Sequence, residues 1–105
     1  MTRNIETFRT DWKGIIVEIR YEPNWLNIET TFDPAHLEVE TIHPPRAPLP
    51  ITETGYLSHF TSRETIAAYG GAVAFVEAWL ETESQAPDWR HIEHRQEERR
   101  QLSIF

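Results

Sequence analysis

The chain has 105 residues, a mass of 12.4 kDa, no cysteine and a formal charge of −7. One domain with a modest core is the expectation at this size, and disulfide scaffolds, thiol chemistry and cysteine-ligated zinc are excluded. The acidity resides in residues 1–86, with six Lys/Arg against thirteen Asp/Glu, whereas residues 87–105 carry four of each. Such a body repels phosphate, so direct nucleic-acid contact is not expected. Neither a signal peptide at MTRNIETFRT nor a run of ~20 apolar residues is visible, which predicts a cytoplasmic protein with no membrane contact.

Alternation is clearest in residues 14–21, where Ile15, Val17, Ile19 and Tyr21 share one face. That period predicts a half-buried strand. After the turn signal Glu22-Pro23-Asn24, a second alternation runs from Trp25 to Phe32, and Asp33-Pro34 ends it. A third strand is expected over residues 35–42, with Leu37 and Val39 inward and His36, Glu38 and Glu40 on a wet, acidic face. Short connections favour antiparallel pairing.

Residues 43–54 hold four of the seven prolines and predict an extended, polyproline-like crossover over the surface. Helices are then expected across residues 62–100. Thr61 and Glu64 have the spacing of a capping box, and Gly70-Gly71 ends the helix that follows. From Ala72 to Glu83, the residues Ala72, Phe75, Val76, Trp79 and Leu80 form an apolar stripe at helical spacing. Pro87 suits the first turn of a third helix. The fold class is therefore α+β: a small antiparallel sheet of about three strands in 14–42, a proline-rich crossover, and a helical cover. The domain should span residues 1–92.

Beyond it, only Trp89 and Ile92 of the third helix can pack, because residues 93–101 are polar all round. That pattern predicts a projecting stalk over 93–105, ending in Gln101-Leu102-Ser103-Ile104-Phe105. An apolar cluster beyond a solvated stalk is badly placed for a core and well placed for a partner's pocket. These five residues resemble the peptide by which bacterial polymerases, mismatch-repair proteins and initiator regulators dock on the DNA-polymerase sliding clamp. The pattern runs Gln-Leu-Ser/Asp-Leu-Phe, and Ile104 alone departs from it. The resemblance implies that Gln101 bonds at the rim of the clamp's cleft. It also implies that Leu102 and Phe105 fill two apolar subsites, that Ile104 assists, and that Ser103 is a small spacer. The implied role is that of a non-enzymatic adaptor, with room for a second protein partner on the acidic body.

Two other readings are open. Glu53, Tyr56 and His59 carry groups suited to acid–base work and would centre a small enzyme, although Ser58 and His59, as neighbours, would face opposite ways in a strand. The Glu38/Glu40 face would alternatively serve an acidic decoy for a nucleic-acid-handling protein. His91 and His94 lie close on a helix but lack recognisable further ligands, so neither a metal site nor a cofactor is expected. The stretch Ile51 to Phe60 is also similar to a group of small bacterial proteins, a likeness that implies no activity.

Overall fold

A computed structural model describes residues 4–23 and 34–102, with side chains described through Arg95. It is an α+β fold: a four-stranded antiparallel sheet in the order β1-β2-β3-β4, with helices on one face. The strands are β1 (Glu6–Trp12), β2 (Ile15–Glu22), β3 (Pro34–His43) and β4 (Tyr56–Ser62). The helices are α1 (Arg63–Ala68), α2 (Ala72–Glu83) and α3 (Pro87–Leu102). The expected strand Trp25–Phe32 lies outside the described residues. Two strands, β1 and β4, fall outside the 14–42 window, so the sheet is wider than its clearest alternations suggest.

Strands β1 and β2 join through Lys13-Gly14, both at positive φ, as a two-residue hairpin turn of the right twist requires. The Gly14 amide donates to Asp11 Oδ1 at 2.8 Å and closes the turn. In the central strands every second side chain is buried: Val17, Ile19 and Tyr21 on β2, and Ala35, Leu37 and Val39 on β3. The same period leaves Glu18, Arg20, His36, Glu38 and Glu40 on the other face.

Helix α2 covers the apolar face through Ala72, Val76 and Leu80, which are its buried residues. Phe75 and Trp79 lie at the margin of that stripe, half-buried on the β4 side. Two glutamates one helical turn apart fasten α2 to β1. Thr10 Oγ1 donates to Glu77 Oε2, and the Trp12 indole donates to Glu81 Oε1, each at 3.0 Å. Trp12 also packs against Trp89 of α3, with ring centroids 5.8 Å apart.

The proline-rich segment departs from the extended path expected of it. Residues 44–46 and 50–51 form turns, Leu49 pairs with Thr52, and Leu49 is buried in the core. Local hydrogen bonds outweigh the polyproline preference, since Ala47 N donates to Pro44 O and Thr41 Oγ1 donates to Ala47 O. Gly55 is essential to this packing: its φ is +80°, and a Cβ there would lie 2.8 Å from the Arg46 Cα. Helix α1 starts one residue later than the Thr61–Glu64 spacing suggests. Its cap is Ser62, whose Oγ accepts from the Thr65 amide at 3.1 Å.

Candidate interaction surfaces

Three surfaces carry the groups singled out in the sequence: the face of the sheet away from the helices, open among the described residues, the β4 margin and the far part of α3. On the open face, Arg20 stands at the centre of a carboxylate cluster. Its guanidinium lies 3.0 Å from Glu18, 3.1 Å from Glu40 and 3.5 Å from Glu38. Arg9 reaches Glu18 at 3.0 Å, and the Tyr56 hydroxyl donates to Glu38 at 2.5 Å. Cross-strand pairing builds this cluster, for Arg9 faces Glu18, Arg20 faces Glu38, and Glu40 faces Tyr56.

The electrostatics follow the geometry. Burial opposes ionisation of Glu18, but hydrogen bonds and charge from Arg20 and Arg9 outweigh it and hold the carboxyl below its ordinary range. The Tyr56 hydroxyl, against partial burial and with help from Arg20, does the same for Glu38. That bond in turn pushes the Tyr56 phenol up. A decoy that mimics nucleic acid needs carboxylates free to face a basic partner. Here Glu18, Glu38 and Glu40 converge on one arginine instead of forming an unpaired row.

Glu53, Tyr56 and His59 do not converge. Glu53 is exposed in the turn before β4, Tyr56 points to the open face, and His59 points to the helix side. Tyr56 and His59 are three positions apart on one strand, which puts them on opposite faces. His59 stacks against aromatic rings, 4.7 Å from Trp79 and 6.2 Å from Phe75, and burial pushes its imidazole below its ordinary value. This is a packing role. A cleft of about 500 Å³ opens elsewhere, between the β1–β2 turn, the segment 43–48 and α3, with Lys13, Arg46 and Trp89 in its wall. None of the three candidate residues borders it. His91 and His94 are both exposed, and among the described residues no three His, Asp or Glu side chains are placed so that they could hold a metal ion.

Helix α3 leaves the body early. Trp89 is buried and Ile92 is half-buried against the core, whereas Glu93, His94 and Arg95 are exposed. The helix continues to Leu102, ten residues past Ile92, which at ~1.5 Å per residue is a run of about 15 Å. Gln101 and Leu102 thus belong to α3, while Ser103, Ile104 and Phe105 lie outside the described residues. No described helix is long and apolar enough to cross a membrane.

No curated protein and no solved structure matches the chain. Residues 5–89, well over half of the chain, match the family described as the KlcB third domain. The matched stretch takes in all four strands, α1 and α2, and stops at Trp89, the buried anchor of α3. This chain belongs to the KlcB third-domain family.

Proposed function

We propose that the chain is a non-enzymatic adaptor that docks on the bacterial DNA-polymerase sliding clamp through Gln101-Leu102-Ser103-Ile104-Phe105. The observation that carries the reading is this motif after a helix whose last packed side chain, among those described, is Ile92. The stalk and the motif lie beyond the stretch that matches the KlcB third-domain family, which supports reading them as an attachment to the domain.

Docking in extended form lets Leu102 and Phe105 enter apolar subsites while the backbone pairs with the cleft wall. Helix α3 reaches Leu102, so its last turn opens on binding. A terminal turn with no apolar face loses little when it unwinds. Burying two large apolar side chains, less the cost of ordering the tail, gives a micromolar-class contact.

Calorimetry with purified clamp at high micromolar concentration tests the proposal. Phe105→Ala and Leu102→Ala should each weaken binding by about 2 kcal/mol or more, and Ser103→Ala should have little effect. Gln101→Ala should fall between, because it leaves polar groups of the cleft without a partner. Absence of heat, or binding indifferent to Phe105, overturns it.

A further inference from the structure

The basic side chains of the body fall into two groups. Arg9 and Arg20 are held by glutamates on the open face. Lys13, the chain's one lysine, and Arg46 form no ion pair among the described residues. Both are exposed, and both stand in the wall of the cleft of about 500 Å³ between the β1–β2 turn, residues 43–48 and α3.

These two cations share a backbone peculiarity. Lys13 has a φ of +51° and Arg46 of +61°, and among the described residues they are the two at positive φ that are not glycine. Glycine or asparagine fits such positions with less strain, and a long cationic side chain gains nothing locally from them. Strain of this kind gathers at binding sites, where the side chain serves something outside the fold. Here two strained turns deliver two positive charges to one cleft.

The rest of the wall suits a flat apolar body. Pro45, Pro48 and Trp89 contribute rings, and the volume lies within the range of small-ligand sites, about 300–1,000 Å³. The Lys13 ammonium lies 5.0 Å from the centroid of the Trp12 ring, a contact that leaves its N–H donors for an acceptor. The Trp89 indole N–H is buried with no hydrogen-bond partner, the one such side-chain atom among the described residues. Buried donors ordinarily have an acceptor.

Charge decides the ionic form of the ligand. Glu93 also lines the cleft, which leaves one net positive charge on its permanent ions, and His43 is the remaining titratable group there. The −7 of the whole chain is screened beyond about 8 Å at physiological salt, so these nearby groups set the sign. One net charge matches a carboxylate better than a phosphate dianion. Guanidinium and ammonium groups both donate strongly to carboxylate oxygens.

We infer that this cleft is a binding site for a small planar aromatic molecule bearing one carboxylate. Lys13 and Arg46 hold the carboxylate, and the ring packs among Pro45, Pro48 and Trp89. The site uses none of residues 101–105, so it stands or falls separately from clamp docking.

The test is amide and indole NMR of the whole chain titrated with naphthalene-2-carboxylate. Naphthalene-2-carboxamide keeps the ring without the charge, acetate keeps the charge without the ring, and 2-naphthyl phosphate carries a second charge. The carboxylate should shift the Lys13, Gly14 and Arg46 amides and the Trp89 indole N–H. It should bind roughly ten times more tightly, or better, than each of the other three. Lys13→Asn and Arg46→Asn remove the cations but suit positive φ, so both should keep the parent spectrum and thermal midpoint. Each should weaken the carboxylate roughly fivefold or more and leave the carboxamide unchanged. Glu93→Gln, which removes the opposing charge, should tighten the carboxylate. No saturation at millimolar carboxylate, equal affinity for the carboxamide, or a phosphate that binds as tightly would overturn the inference. So would affinity that survives both asparagine substitutions, or shifts confined to other surfaces.

Discussion

Helices α2 and α3 follow one another with only Ser84-Gln85-Ala86 between them, yet the body holds them very differently. α2 keeps Ala72, Val76 and Leu80 against the sheet along its whole length, and its Glu77 and Glu81 accept hydrogen bonds from Thr10 and Trp12 of β1. α3 has Trp89 and Ile92 in its first two turns and then exposes Glu93, His94 and Arg95. Helices this short draw most of their stability from a packed apolar face. The first is therefore packed along its length, and the second is packed at its root and exposed over the next three residues. A continuous stripe makes a wall, and an interrupted one makes a handle.

The largest effect expected from breaking this contrast is in α2. Leu80→Ala, at a fully buried site, should cost about 2–5 kcal/mol in urea unfolding. A variant that unfolds like the parent would show that α2 is not the wall of the core. Next comes the open face, where Arg20→Met should cost about 1 kcal/mol, the range of partly exposed ion pairs. It should also let the Glu18 and Glu38 carboxyls rise toward their ordinary range, readable by NMR titration.

A pH series separates the two sides of the sheet. The pKa of His59 is depressed in the folded chain, so its contribution is complete above the unfolded value near 6.5 and is lost as pH falls through the folded value. Glu18 and Glu38 are depressed as well, so their contribution is complete above about 4.5 and is lost below it. Stability should therefore fall in two stages on acidification. His59→Phe should remove the upper stage and keep the lower one. A single stage shared by parent and variant would contradict this.

The smallest effect belongs to the stalk. Arg95→Ala should change stability by less than about 0.5 kcal/mol. Deleting residues 101–105 should move the thermal midpoint by less than about 3 °C, because ~1 kcal/mol corresponds to about 4–8 °C in a domain of this size. A larger drop would place Leu102 or Phe105 in the core and remove the basis for docking.

Local pattern alone was enough for β2, β3, α2 and the start of α3. Val17, Ile19, Leu37 and Val39 alternate without interruption, the α2 stripe has helical spacing, and Pro87 marks the first turn of α3. Strand β1 escaped notice because its inward residues are Phe8, Thr10 and Trp12, and Thr10 is tolerable inside only with Glu77 as its acceptor. Strand β4 escaped for a like reason, since His59 is inward and reads as a chemical group until Phe75 and Trp79 are seen to enclose it. Period and composition thus determined the class of fold, the acidic character and the point at which α3 loses its apolar face. Tertiary structure decided which polar groups are spent on one another. Arg20 gathers Glu18, Glu38 and Glu40 from β2 and β3, and Tyr56 and His59 part to opposite faces of one strand. Spacing along a chain fixes the face of a strand on which a residue lies, but the partner opposite it is set only when the strands have paired.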